Sequence, residues 1–246
     1  MSAFPLIFYG WCGNVYLYIS PWPETIVEIP VVRDRRFQSS KSNWLLSMKK
    51  GDNTVMNFEL NEQQLSIQKM ARDFTEKKVA PKVLERDETR EYDRSLYEDL
   101  CSMGFIGLPY EKEYGGEGLG YMEYALAIEE ISKVDPSLSV SFSVATSLYG
   151  GSLHFSKATD EQLKRFLPPV LKGNHLGSFG LTEHTAGSDV SGMLTFAERK
   201  GDEYIINGSK CFITNGPLSD YFAVYALTDH ELGPKSMATF VVEKNT

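Results

Sequence analysis

Two short stretches concentrate the residue types that can hold a flat, hydrogen-bonding ligand. The first runs Gly180-Leu181-Thr182-Glu183-His184-Thr185-Ala186-Gly187-Ser188-Asp189-Val190-Ser191-Gly192, the second Lys210-Cys211-Phe212-Ile213-Thr214-Asn215-Gly216. Phe179, Leu181, Phe212 and Ile213 offer apolar surface for one face of a ring. Thr182 and Thr214 offer hydroxyls for its edge, and Gly187-Ser188 offers a turn whose backbone N–H groups can meet an acceptor. The same phenylalanines and leucine would serve as core in any β domain, and threonine is common in strands, so residue types alone leave both readings open.

Metal and disulfide chemistry have less to stand on. Cys12, Cys101 and Cys211 lie far apart with no C-x-x-C, and His154, His175, His184 and His230 lack ligand spacing. Neither a zinc site nor a disulfide framework is expected, and a reducing, cytoplasmic setting is.

The elements that must position these stretches change period once. From residue 56 to 174 the pattern is helical. Asn61 with Gln64 resembles a capping pair, with Leu65, Met70 and Phe74 predicted to lie near one face. A helix from Asp93 carries Leu96, Leu100 and Met103 and stops at Gly104. Tyr121–Lys133 is again helical, Asp135-Pro136 opens a Ser-rich apolar helix suited to close backbone approach, and Thr159 with Gln162 caps another. Gly116, Gly118 and Gly120 mimic a dinucleotide fingerprint, but the spacing is wrong and no strand precedes them, so they read as a loop. From 175 to 246 the period is two, with short aromatic and β-branched strands and an Asn207-Gly208 pair that predicts a hairpin. Without crossover helices the sheet should be mainly antiparallel. The chain ends directly after a predicted strand and reads as cut.

Residues 1–55 read as a separate extension, with aromatic runs, a Pro-rich patch and late basic residues. Either they are an upstream stretch of coding frame, with Met48 or Met56 as the natural start, or they form an interaction or membrane-surface arm. The first basic residue is Arg33, which is too late for a secretory signal, and glycines and prolines interrupt any membrane span. The 246 residues carry a formal net charge of −8, which argues against nucleic-acid binding.

The two chemistry-bearing stretches, in this order, resemble the acyl-CoA dehydrogenase family: a hydroxyl residue and Glu followed by a G-S-D turn, then the family's second flavin segment. The flanks agree at 111–120, 160–162 and 165–169, and the likeness covers about 58–244. The resemblance implies an α+β chain: an all-α N-terminal helical domain (56–174), then an antiparallel β-barrel-like middle domain (175–246), truncated before a C-terminal four-helix domain. It implies FAD as cofactor, with Phe179, Leu181, Thr182, Gly187, Ser188, Phe212, Ile213 and Thr214 approaching it and Thr182 near N5. Ser188 and Ser236 would touch the CoA portion of an acyl-CoA substrate. In the family a carboxylate base removes the α-proton while the β-hydrogen leaves as hydride, giving a trans-2-enoyl-CoA. That base lies in the C-terminal domain, so no catalytic residue is assigned here, and Glu183 reads as a structural carboxylate. A short- or medium-chain substrate, electron-transfer flavoprotein as acceptor and a full-length homotetramer are the matching expectations. An acyl-CoA oxidase or flavin monooxygenase relative, or a non-catalytic truncated interaction protein, are the alternatives. His184-Thr185 stands where the family often has Pro-Gly, and Phe212 where some members have tryptophan.

Overall fold

The computed structural model describes residues 59–156, 158–244 and 246, together with two short upstream strands, β1 (Asn14–Val15) and β2 (Val27–Ile29). The rest of the predicted 1–55 extension, Cys12 included, lies outside the described residues.

Helix α1 (Glu62–Phe74) starts at a reciprocal cap: the Asn61 side chain accepts from Gln64 N (2.8 Å) and Gln64 Oε1 accepts from Asn61 N (3.1 Å). Its core-facing stripe differs from the predicted one. Leu65 is 50% exposed and Met70 is exposed, while Ile67, Ala71 and Phe74 pack inward. Those three fall at i, i+4 and i+7, a tighter helical stripe than Leu65 and Met70 can make. Beyond α2 (Val83–Thr89), α3 (Arg94–Ser102) is capped by Asp93, buries Leu96 and Leu100, and ends before Gly104 in left-handed backbone (φ +78°).

The glycine-rich segment is a loop, as its spacing requires. A Cβ on Gly116 would lie 2.2 Å from the Tyr110 carbonyl oxygen, so glycine serves close packing there. Next come α4 (Tyr121–Ser132) and α5 (Pro136–Ser143), the latter running through a π-helical stretch (Val144–Gly150) into α6 (Gly151–Phe155). Thr159 and Gln162 cap α7 (Asp160–Phe166), and α8 (Pro168–Leu171) closes the helical half.

The β half comprises β3 (Gly177–Gly180), β4 (Phe196–Lys200), β5 (Glu203–Asn207), β6 (Lys210–Cys211), β7 (Tyr221–Leu227) and β8 (Met237–Glu243). The main sheet runs β2-β8-β7-β4-β5, with β3 beside β7. It is open rather than barrel-like, and mainly antiparallel as expected, with two parallel contacts. β3 runs parallel to β7 over Tyr221–Val224, and β4 meets β7 in parallel at Phe196 and Leu227. Two strands thus share one edge of β7 end to end, which fans the sheet out. β6 leaves the ladder to pair with β1, so nothing among the described residues carries the sheet past β5 toward closure. The last strand, β8, is paired on both sides, by β2 and β7.

The hairpin sits elsewhere than predicted. β4 and β5 turn through Gly201-Asp202, with Lys200 opposite Glu203 and Gly201 at φ +67°. Gly208 answers to a close contact instead, since a Cβ there would lie 2.3 Å from Thr195 Oγ1. The Asn207-Gly208 pair therefore lets the chain pass close to Thr195 on its way to β6.

One large core joins the halves. Tyr97, Tyr110, Tyr149, Phe105, Phe142 and Phe166 are fully buried, and Tyr221, Ala223 and Val241 of the sheet belong to the same cluster. A Cβ on Gly177 would sit 2.6 Å from Tyr149 Cγ, so β3 docks on the π-helical stretch only because that residue is glycine. Among the described residues no helix is long and apolar enough to cross a membrane.

Candidate functional site

The two stretches meet. The Cys211 N–H donates to the Thr182 carbonyl (2.9 Å), which sets the second stretch beside the first, 29 residues upstream. Lys210 is buried and donates from Nζ to Glu183 Oε1 (2.6 Å) and to the Leu181 carbonyl (3.1 Å). Glu183 also accepts from the Leu194 N–H (2.7 Å, Oε2) and the Thr195 N–H (3.1 Å, Oε1), and so closes the base of the 184–193 loop.

Both partners of this ion pair are inside the protein: the Lys210 side chain is 3% exposed and that of Glu183 4%. Burial pulls the Lys210 ammonium below its ordinary pKa range, against the pull of Glu183. Burial also pushes the Glu183 carboxyl up, but the bonds from Lys210, Thr195 and Leu194 together outweigh it and hold it below the usual range. Glu183 thus keeps its charge and has its oxygens committed, so it is not a base waiting for a proton.

Beyond Lys210-Cys211 the backbone takes an uncommon path. Phe212 has φ +57° and Asn215 φ +65°, two left-handed non-glycine residues within four positions. A bulky aromatic in that region is strained, and such strain persists where surrounding contacts over-determine it. The far end of the turn is held as firmly as the near end. The Ser178 hydroxyl donates to the Thr214 carbonyl (2.8 Å), and Asn215 Oδ1 accepts from the Ser141 hydroxyl of α5 (2.7 Å). Tyr92 OH lies 2.9 Å from the same Ser141 hydroxyl, which ties the turn into the helical half.

Held at both ends, the turn presents Phe212 outward with 73% of its surface exposed. Ile213 is buried and Thr214 half-buried. In the first stretch, Leu181 and Thr182 are half-buried, and Gly187 and Ser188 lie in an exposed turn. No heavy atom would lie within 4 Å of a Cβ on Gly187, so that turn faces open space. Phe179 is half-buried with its ring edge-on to Tyr225 at 5.2 Å. The predicted ring-facing residues therefore divide: Phe212, Leu181, Thr182 and Thr214 stay accessible, while Ile213 acts as a core anchor.

Ser236 does not join them as a free hydroxyl. It accepts from Thr228 N (3.3 Å) and Asp229 N (3.1 Å) and donates to the Gly233 carbonyl (2.7 Å), so it closes its own loop. The 233–236 turn does lie against the 190–192 turn of the first stretch. No three His, Cys, Asp or Glu side chains gather to hold a metal among the described residues.

Two features carry more of this geometry than the sequence suggests. Lys210 reads as one letter of a motif, and strand alternation beside Cys211 gives no sign that its ammonium turns inward, although both residues are buried. The Ser141–Asn215 contact has no sequence signal, since 74 residues separate the pair.

The two stretches thus present an exposed aromatic in left-handed backbone, half-buried Thr182 and Thr214, and an open glycine-serine turn. Residues 61–174 match the family model for the acyl-CoA dehydrogenase N-terminal domain, and residues 178–246 the one for its middle domain. A short-chain-specific acyl-CoA dehydrogenase of Clostridium acetobutylicum is 41% identical over 189 residues, covering 77% of this chain and 50% of that protein. The butyryl-CoA dehydrogenase structure from Megasphaera elsdenii is similar at TM-score 0.69 and 36% identity, covering 78% of this chain and 58% of that one. A glutaryl-CoA dehydrogenase from Mycobacterium smegmatis, solved in complex with FADH2, is similar at TM-score 0.71 and 32% identity, covering 76% and 47%. The chain spans about half the length of the curated relatives it matches. From its N-terminal and middle domains, the chain belongs to the acyl-CoA dehydrogenase family.

Proposed function

We propose that this chain binds FAD across its two motif stretches and serves the α,β-dehydrogenation of a short- or medium-chain acyl-CoA to a trans-2-enoyl-CoA. The observation that carries the reading is Phe212, a large aromatic 73% exposed in left-handed backbone and braced from both sides. An exposed, strained aromatic is unfavourable for folding alone and is explained by a ligand that covers it. When bound, the flavin supplies the acceptor for the β-hydrogen leaving as hydride.

The chain's own residues bind and orient. Phe212 covers part of one ring face, with Leu181 and Phe179 beside it. The Thr182 and Thr214 hydroxyls donate to the ring edge, Thr182 on the N5 side. The Gly187-Ser188 turn meets the ligand with backbone N–H groups, and Ser188 extends that contact to the CoA portion. The α-proton of a thioester is weakly acidic and needs a base in near-attack position. Glu183 is excluded because its oxygens are committed to Lys210, Leu194 and Thr195; on the family resemblance we place the base outside the residues matched by the two domain models. Electron-transfer flavoprotein is the acceptor we expect and a homotetramer the full-length assembly.

The test is a visible spectrum of the purified chain after incubation with FAD and desalting, followed by addition of butyryl-CoA. Retained absorbance near ~450 nm is expected, without steady-state turnover of the thioester. A chain that folds and takes up no flavin contradicts the cofactor reading; sustained turnover contradicts the placement of the base.

A further inference from the structure

We propose that the buried Lys210–Glu183 pair is a positioning device that fixes the spacing between the Leu181-Thr182 segment and the Phe212–Thr214 turn. The proposal rests on the flavin reading above and names the groups that set the pose of the ring.

Three observations converge. First, the Lys210 ammonium grips the first stretch at two points, the Leu181 carbonyl and the Glu183 carboxylate, on either side of Thr182. Thr182 is itself tied to the second stretch, since its carbonyl takes the Cys211 N–H. The residue expected at the ring edge is therefore pinned from both neighbours and from its own backbone. Second, Lys210 stands two residues before Phe212, where the chain enters left-handed backbone. A strained residue keeps its conformation only while its flanks are fixed, and Lys210 fixes the near flank. Third, the pair is a poor device for stability alone. Burying both charges costs solvation that an apolar pair of similar volume does not lose, and such replacements are often neutral or stabilising. What an apolar pair cannot reproduce is the directed grip on Leu181, Leu194 and Thr195, which carries the loop base and both stretches together.

Lys210 and Glu183 are therefore positioning residues. They act through Thr182 and Phe212 and do not touch the reacting atoms.

The experiment compares the full chain with its Glu183→Gln/Lys210→Met double variant. The glutamine keeps one of the two acceptors that serve the Leu194 and Thr195 N–H groups, and the methionine keeps much of the apolar stem, so the ion pair is removed together with one backbone acceptor and the donor to the Leu181 carbonyl. Denaturant midpoint, FAD affinity, the position of the flavin band and amide exchange at 181–183 and 210–215 are read on both proteins. Expected is a folded variant that binds FAD about tenfold more weakly or worse, with a displaced band and faster exchange at Phe212–Asn215. A folded variant with unchanged affinity, band and exchange makes the pair a structural filler and overturns the proposal. Should the parent chain itself take up no FAD, the cofactor reading fails separately. Exchange then decides alone: faster exchange at Phe212–Asn215 supports the spacing role, and unchanged exchange ends it. If the double variant does not fold, Lys210→Arg keeps the charge but replaces a point donor by a planar fork. That variant is expected to fold with a displaced band, and wild-type affinity and band in it overturn the proposal.

Discussion

Glu130 in the helical half and Glu183 in the β half are both buried carboxylates bound by cations, yet their partners differ. Glu130 accepts two bonds from Arg72 (3.1 and 3.0 Å) and one from Lys133 (2.8 Å). Those cations remain about half exposed, Arg72 at 49% and Lys133 at 50%. They keep much of their hydration while holding the carboxylate, so the arrangement stabilises the fold directly. Glu183 draws on Lys210, which has given up nearly all its contact with water. There the desolvation cost offsets most of the attraction, and the gain is directional. At Glu130 charge stabilises the helical half; at Glu183 it holds two loops in register.

That contrast is sharpest under single substitution. Lys210→Met leaves a buried carboxylate unpaired and should cost about 3–5 kcal/mol by urea denaturation. Arg72→Met leaves Glu130 with Lys133 and an open route to water, and should cost about 1–2 kcal/mol. Equal costs at the two sites would remove the distinction.

Acid separates them further. The Arg72 bonds first, with Lys133 behind them, hold the Glu130 pKa at about 2, below the 4.5 of a free glutamate. A depressed carboxylate contributes stability above its unfolded pKa and loses it as pH falls through the folded one. The window therefore runs from 4.5 down to about 2. Over it Glu130→Gln should flatten the loss of stability by about 2 kcal/mol, after allowance for solvent screening at Arg72 and Lys133. A pH titration of the unfolding midpoint in both proteins checks this, and parallel curves would show that Glu130 adds nothing.

Smaller still are the helix starts. Thr159→Ala removes one capping side chain and should cost about 1 kcal/mol, with no effect on flavin uptake. A change in uptake would mean that the helical half, too, tunes the site. Smallest in its effect on stability is Phe212→Gly, which relieves left-handed strain and should raise stability by about 0.5–1 kcal/mol while weakening FAD binding.

What the sequence makes legible is mostly local. The caps at Asn61 and Thr159 depend on groups three residues apart and form as expected, and the helix expected from Asp93 starts there, with that side chain as its cap. The face of α1 is easily mistaken because Leu65 and Met70 look apolar, whereas burial follows the stripe through Ile67, Ala71 and Phe74. Asn207-Gly208 carries a strong hairpin signal. Its glycine answers instead to Thr195, a residue whose proximity no local pattern reveals. The parallel contacts of the open sheet are equally hidden, since β3 and β4 share one edge of β7 through pairings that span 44 and 31 residues of chain. In the site, the two motif stretches are readable as residue types, while the Lys210 bolt and the Ser141–Asn215 clamp exist only once distant segments pack.

Phe212 is held in an unfavourable pose for a ligand, and one paired measurement tests this most directly. Unfolding free energy and FAD affinity are determined together for the chain and for Phe212→Gly. The expected variant is as stable as the parent or more so, with FAD affinity lower by about tenfold or more. Unchanged FAD affinity, or a clear loss of stability, would contradict it.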